Sequence, residues 1–482
     1  MQMLVTAKLG ERAQKLEIGN VFAKHIGLDR GLTGGMINGE TLWHFVFQSE
    51  FRRVIQRPRE FLTGLFETAV GAVHPAACLT PLLPPPPTGR LIVCAAGKAA
   101  GSMAEVTEHY YFNRMGLAPA RLDGIAVTRR GYGRPTRRIA LIEAGHPVPD
   151  AAGLAGAAKM LALVDTAGPQ DLVLVLMSGG ASANLIAPAS GVTLAEKQAL
   201  TRQLLKSGAA IGEINTVRKH LSAIKGGRLA ARAYPAPVVT LAISDVPGDD
   251  PAVIGSGPTV ADPTTLADAR AVAARFGLAF SPAIARALDD AANESPKPGD
   301  PRLKATTFHI VARPADALNA AAGRIKAAGY ECLLLGDSIE GEAREVARSH
   351  AKLARELQAA GRRSVILSGG ELTVTIRGQG QGGPNQEYAL ALVPELDGIA
   401  GLAALAGDTD GTDGGSGEPD DPAGAFVEAD SAARARALGL DPALFLADNN
   451  SRGFFSSLGD LLRPGPTYTN VNDFRAILVD RP

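Results

Sequence analysis

The chain of 482 residues is long enough for two or three domains, at about 100–200 residues each. Its 49 basic side chains (Lys plus Arg) balance 49 acidic ones, which removes bulk charge as an argument for a nucleic-acid or membrane-surface partner. No apolar run reaches the roughly 18 residues that a bilayer span needs, and charges stand where a signal peptide wants its apolar core in MQMLVTAKLGERAQKLE, so a cytoplasmic protein is expected.

Residues 1–58 show weak periodicity, hold Trp43, and read as an N-terminal extension without evident chemistry. A helix is expected from about Pro58, because Phe61, Leu62, Leu65, Phe66, Ala69, Val70 and Val73 recur at three- and four-residue steps. LTPLLPPPPTGR breaks that pattern and serves as a stiff connector. LIVCAAG (91–97), DLVLVLM (171–177) and PVVTLAI (237–243) are continuous apolar runs, as in parallel strands buried on both faces. Between them AAGLAGAAKMLALVD and LAEKQALTRQLLKSG read as helices. The alternation predicts an α/β fold whose first domain, 59–304, is a doubly wound, mostly parallel sheet. The polar stretch SPAIARALDDAANESPKPGDPRLKA ends that domain. Over 305–482 a second α/β domain resumes with TFHIVA, ECLLLG, SVIL and GLAALAG, and the apolar–polar alternation of LTVTIR predicts a half-exposed antiparallel strand. Cys78, Cys94 and Cys332 are widely spaced, without CxxC or zinc-like His spacing, and read as free thiols.

Ligands of an open α/β sheet gather outside the carboxyl ends of its strands. Here GKAAGSMA follows LIVCAA, SGGASANL follows LVLVLM, SDVPGDDP follows VVTLAI, SGGE follows SVIL, and GDTDGTDG follows LAALA. Glycine-rich turns offer N–H groups to anions, and carboxylates hold a divalent metal or accept a proton. Lys98, between Gly97 and a helix start, suits a phosphate or carboxylate unless it is a surface lysine. Asp245, Asp249 and Asp250 serve either this chemistry or turn capping. Asp408, Asp410 and Asp413 miss the EF-hand spacing and suit a magnesium–phosphate site better. Ser178 and Ser182 lie in SGGAS rather than GxSxG, which argues against a nucleophile elbow. His146, in EAGHPVPD, reads as a turn histidine. Arg218, Lys219, Lys225 and Arg228, in INTVRKHLSAIKGGRLA, form either a solvated helix face or a clamp for an anion.

GQGQGGPNQE (378–387) spells GxGxxG at Gly378, Gly380 and Gly383, with Asp397 placed roughly where a dinucleotide-binding unit keeps its ribose acid. The motif follows a strand read as half-exposed and late in the chain, and Pro384 stands at the helix start. Hydride transfer through this loop is therefore disfavoured against phosphate handling by acids and a lysine.

VCAAGKAAGSMA, AGHPVPD, LMSGGASANL, NTVRKHLSAIKGGRLA, ISDVPGDDPAVIGSGPTVADPTT, SGGELTVTIRGQGQGGPNQEYALAL, AGDTDGTDG and TNVNDFRAILV together resemble the class II glycerate 2-kinases. That family carries a MOFRL C-terminal domain and often the older label hydroxypyruvate reductase. The resemblance covers about residues 58–480. It implies a Rossmann-like domain followed by a MOFRL-type domain with some antiparallel strands, with the active site in the cleft between them. It also implies ATP and Mg2+ as cofactors and D-glycerate as substrate, phosphorylated at the 2-hydroxyl to give 2-phosphoglycerate and ADP. By motif, Lys98 would neutralise the transferring phosphate or bind the substrate carboxylate, and Asp245 would orient and deprotonate the hydroxyl. Gly97, Ser178, Gly179, Gly180 and Ser182 would line the nucleotide site, Arg218, Glu371 and Asn385 would contact substrate, and Asp408 and Asp410 would bind magnesium. A homodimer is left open.

Two departures from the family pattern matter. Pro384 stands where the loop frequently has an arginine, so either another cation such as Arg218 or Arg377 substitutes, or substrate binding differs. SGGAS replaces the frequent SGGGS, which requires that Ala181 not need a positive φ. On this resemblance the GxGxxG loop turns backbone donors toward an anion in the active site. The competing readings are an NAD(P)H-dependent reductase of hydroxypyruvate or tartronate semialdehyde, and a non-catalytic sugar-acid-binding protein.

Overall fold

The structure, a computed structural model, describes residues 55–415 and 418–481; the reading of the N-terminal extension, Trp43 included, lies outside the described residues. Six strands build the first sheet: β1 (Leu91–Ala96), β2 (Leu122–Arg129), β3 (Ile139–Ala144), β4 (Leu172–Met177), β5 (Val238–Ile243) and β6 (Thr306–Ala312). Every pair is parallel, in the order β3-β2-β1-β4-β5-β6. β1 and β4 are buried along their whole length, which is why neither shows polar alternation. The order reverses between β1 and β4, so the loops leaving their carboxyl ends run to opposite faces and leave a crevice between them.

The second sheet contains β7 (Glu331–Leu334), β8 (Ser364–Ser368), β9 (Leu402–Asp408), β10 (Gly424–Glu428), β11 (Leu461–Leu462) and β12 (Asp473–Val479), in the order β11-β10-β9-β12-β8-β7. Only β7 and β8 pair in parallel. β12 is inserted between β8 and β9, antiparallel to both, and so begins where they end. Asp473 stands opposite Asp408, and Arg475 opposite Ser368. This register gathers acids at one edge of the sheet.

Three expectations change. The helix Pro58–Ala72 forms where its periodicity places it, with proline in its first turn, a position where the missing N–H costs nothing. It packs on the Pro314–Ala327 helix and on β9 and β12, so it belongs with the second sheet rather than the first. Phe66 meets Phe474 edge-on at 5.9 Å, and burying it contributes about 2–3 kcal/mol. The boundary expected at 304 falls before β6, which hydrogen-bonds to β5 and closes the first sheet at Ala312. LTVTIR is no ladder strand: only Thr373 forms a bridge, to Glu342. β8 already has β7 and β12 on its two sides, so no edge is left beside it. Instead, the N–H groups of Arg377 and Gly378 donate to Oδ1 of Asn449. Among the described residues no helix is long and apolar enough to cross a membrane.

Candidate active site

The loops that follow β1 and β4 are laced together at the crevice. Lys98 donates its N–H to the Gly179 carbonyl at 2.8 Å, and Ala99 donates to Ser178 Oγ at 2.9 Å. Gly97 adopts φ +113, and a side chain there would collide with Ser178; glycine is what lets the two turns touch. A Cβ on Gly179 would strike the Asp245 carboxylate and the Asn470 amide, while Gly180, at φ +82, lies against His146 and the Lys98 stem. Ala181 begins the short helix Ala181–Asn184 and is not among the positive-φ residues, so the SGGAS variation carries no strain. Ser182 hydrogen-bonds to the hydroxyl of Ser256 at 2.9 Å.

Lys98 then crosses to the second sheet. Its Nζ lies 2.5 Å from Asp410 Oδ2, and the Arg129 guanidinium stands 3.7 Å from the same oxygen. Asp410 is fully buried and Lys98 nearly so. Breaking such a pair by removing one partner typically costs about 3–5 kcal/mol, because the other charge is stranded. Other groups bridge the same gap. Arg129 donates to Thr412 Oγ1 at 2.7 Å, and the Tyr132 hydroxyl donates to the Asp410 carbonyl at 3.0 Å. Asn470 donates to Asp245 Oδ2 at 3.0 Å and Asn472 to the Asp245 carbonyl at 2.6 Å.

Five acids gather here: Asp410, Asp408 and Asp245 act on Lys98, Glu371 feels its charge, and Asp473 stands opposite Asp408. Burial alone would lower the Lys98 ammonium, but Asp410, Asp408 and Asp245 outweigh it and hold the pKa above its ordinary value. Burial raises Asp245 despite Lys98, and burial together with the Asp410 charge raises Asp408 well above the usual carboxylate range. Asp410 goes the other way: burial opposes, yet Lys98 and Arg129 pull its carboxyl down. Glu371 is reachable by solvent but ringed by protein, and burial, Asp473 and Asp245 raise it. The result is Lys98 and Arg129 amid an excess of carboxylates, of which Asp245, Glu371 and Asp408 are made more basic.

The GxGxxG loop is explained by protein contacts. Side chains on Gly378 and Gly380 would run into the backbone of Asp448 and Asn450, and one on Gly383 into Asp413. The first turn of the following helix, Pro384–Glu395, already holds an anion: Asp413 accepts the N–H groups of Asn385 and Gln386 at 3.0 and 2.9 Å. Burial pushes the Asp413 carboxyl up to about 7 even so. The expected donors toward an external anion are therefore a correction: they serve an internal carboxylate. Asn385 is fully buried and donates through Nδ2 to Asp473 and Asp413 at 2.6 and 3.2 Å. Pro384 fits comfortably as the first helical residue, and the Arg377 side chain is exposed.

The structure thus brings Lys98, Asp245, Asp408, Asp410 and the 178–180 turn together. Arg218 sits instead on the helix Ile211–His220, where its charge acts on Lys197 and Lys225. Sequence reading missed Arg129, Tyr132, Asn470, Asn472 and Asp473. His146 lies in the bend after β3, as read from the sequence, and is half-buried beside Gly180; burial, Lys98 and Arg129 depress it to about 3. The TNVND segment was the available signal: asparagines just ahead of an apolar strand, one of them, Asn472, at φ +63.

Residues 61–289 match a domain of unknown function, DUF4147, and residues 364–473 match the MOFRL family. A protein of Agrobacterium vitis provisionally named a hydroxypyruvate reductase is 48% identical over 427 residues, 87% of this chain and 94% of the relative. The D-glycerate 2-kinase of Thermotoga maritima is 38% identical over 414 residues, 85% of this chain and 95% of that one. The crystal structure of the Thermotoga maritima glycerate kinase aligns with a TM-score of 0.76 at 37% identity, covering 87% of this chain and 99% of that chain. The chain belongs to the glycerate kinase family with a MOFRL domain.

Proposed function

We propose that the protein transfers the γ-phosphoryl group of ATP to the 2-hydroxyl of D-glycerate, giving 2-phosphoglycerate and ADP, in the cleft between the two sheets. The observation that carries this reading is Lys98 at the reversal point of the first sheet, faced by Asp245 beside it and by Asp408 and Asp410 from the second sheet. Phosphoryl transfer asks mainly for positioning and charge neutralisation rather than a strong nucleophile. Lys98 supplies the fixed cation. Asp245, held by Asn470 and made more basic by burial, orients the substrate hydroxyl and takes its proton as that oxygen bonds to the γ-phosphorus. The bond from the γ-phosphorus to its bridging oxygen breaks, and ADP leaves with that electron pair.

The residues fit magnesium. Asp408 is half-buried and, among the described residues, accepts one hydrogen bond, from the Asp410 N–H at 2.9 Å. Asp410 and Asp473 crowd it with negative charge, which a divalent cation would relieve. Asp408 would hold the ion, joined by Asp410 as Lys98 shifts from its Oδ2 toward the phosphate, in keeping with magnesium's habit of using one or two carboxylates plus substrate phosphates. When bound, it supplies charge neutralisation on the phosphate oxygens.

Relatives named glycerate kinase support this reading. A reductase has less to stand on, since the GxGxxG loop is filled by protein. Phosphorus NMR of the product formed from D-glycerate and magnesium ATP tests it. A 2-phosphoglycerate resonance is expected; 3-phosphoglycerate, or NADH oxidation with hydroxypyruvate and no phosphorylated product, would overturn it.

A further inference from the structure

A second charged cluster lies along the same SGGAS loop, and its sign is opposite. Lys225 is 1% exposed and Lys197 5% exposed. The Lys225 ammonium reaches only neutral oxygens, at long range: Ser182 O at 3.3 Å, Ser256 Oγ at 3.4 Å and Gly255 O at 3.5 Å. Lys197 donates to the Leu221 carbonyl at 2.7 Å. The nearby carboxylates are taken. Asp262 stands 3.5 Å from Lys219, and Glu294 is held by Lys297 and by His220 at 3.0 Å. Among the described residues no carboxylate pairs with Arg218, Lys197 or Lys225.

A buried basic group without a counter-charge is driven toward its neutral form, and a bound anion is what restores its charge. Burial, followed by Arg218, Lys197 and Lys219, pushes the Lys225 ammonium well below its ordinary value; burial with Arg218 and Arg228 brings Lys197 down to about 7. The cluster is therefore electrostatically incomplete as it stands. The loop joins it to the acid-rich site: Gly179 touches Asp245, Gly180 touches Lys98, and Ser182 touches Ser256 and Lys225. Around Lys98 the carboxylates outnumber the cations, so without a divalent ion a chain of phosphates has no net attraction there. Three basic groups without a counter-charge, recharged by a bound anion, suit a polyanion better than the single carboxylate of a hydroxy acid.

We propose that Arg218, Lys225 and Lys197, with the Ser182–Ser256 hydroxyl pair, form the subsite that takes the polyphosphate chain of the nucleoside triphosphate donor, an assignment that rests on the kinase reading. The leading phosphates lie on the cationic side of the SGGAS loop and the terminal one points toward Lys98 and Asp245. Arg218, read from sequence as a substrate contact, then serves the donor rather than glycerate.

The test uses the full chain with Arg218→Gln, whose side chain is half-exposed, and Lys225→Met, which is buried; thermal melts establish that each variant is folded. The probes are inorganic tripolyphosphate and ADP by titration calorimetry, alongside KM for ATP and for D-glycerate. Arg218→Gln is expected to weaken tripolyphosphate and ADP about tenfold or more, to raise KM for ATP in step, and to leave KM for D-glycerate within about twofold. A rise in KM for D-glycerate with unchanged tripolyphosphate binding would overturn the assignment while leaving the kinase reading intact. Tight tripolyphosphate binding, lost in Arg218→Gln, by a wild-type protein that releases no ADP with glycerate would sink the kinase reading and keep the anion site.

Discussion

Lys98 Nζ and Asp410 Oδ2 lie 2.5 Å apart across the junction of two sheets. One residue follows the first strand of the parallel sheet; the other belongs to the loop after β9. The pair makes each sheet's charge depend on the other. Lys98→Met is expected to destabilise the chain by about 3–5 kcal/mol, and Asp410→Asn to restore a large part of that loss in the double variant. Chemical denaturation of the two single variants and the double variant measures the coupling. Additive losses would mean that the pair does not act as a unit.

The rate should report a carboxylate and not an imidazole. Burial raises Asp245 from 3.8, while His146 is depressed from 6.5 to about 3 by burial, Lys98 and Arg129. On the acid side kcat/KM should therefore rise with pH along a limb centred above the ordinary carboxylate value. His146→Gln should keep its midpoint, and Asp245→Asn should remove about 10²–10⁴ of the rate. A limb near 6.5 that moves in His146→Gln would contradict the role given to Asp245.

The glycines of GQGQGG should matter for folding rather than for nucleotide. Gly383→Ala forces a methyl against Asp413, and overpacking of this kind costs about 1–3 kcal/mol. The variant should melt earlier and keep its KM for ATP. A phosphate cradle would behave in the reverse way, losing nucleotide affinity at unchanged stability.

The part of the stability that rests on His350 should fall on mild acidification, while Asp413, raised to about 7, acts with the opposite sign over the same range. His350 is buried with Nδ1 2.9 Å from the Tyr388 hydroxyl, and burial lowers it from 6.5 to about 4. The unfolded chain takes up a proton below about 6.5, whereas the folded one resists until about 4, so the stabilisation present above 6.5 is lost through that window. At most about 3 kcal/mol is at stake. His350→Gln should flatten the stability curve between these pH values; an unchanged slope would assign the loss elsewhere.

Much of the site was legible because buried parallel strands announce themselves. LIVCAA, LVLVLM and VVTLAI lack alternation, and the residues after them are the ones that meet: Lys98, the 178–180 turn and Asp245. What stayed hidden depends on pairing between distant segments. Nothing local places β12 between β8 and β9, yet that insertion sets Asp473 against Asp408 and brings Asn470 and Asn472 to Asp245. LTVTIR failed for the same reason: its alternation is strand-like, but β8 has no open edge to receive it. The glycine fingerprint misled because close approach of backbone to a protein turn and close approach to a phosphate place the same demand on sequence.

The central claim is that the cation at the reversal point of the first sheet serves phosphoryl transfer to glycerate. ADP release from magnesium ATP, with and without D-glycerate, in the wild-type protein and in folded Lys98→Ala, tests it most directly. Release that requires D-glycerate and falls by about 10²–10³ in the variant is the predicted result. Glycerate-dependent release that survives in Lys98→Ala, or NADH oxidation with hydroxypyruvate in place of any release, would contradict it.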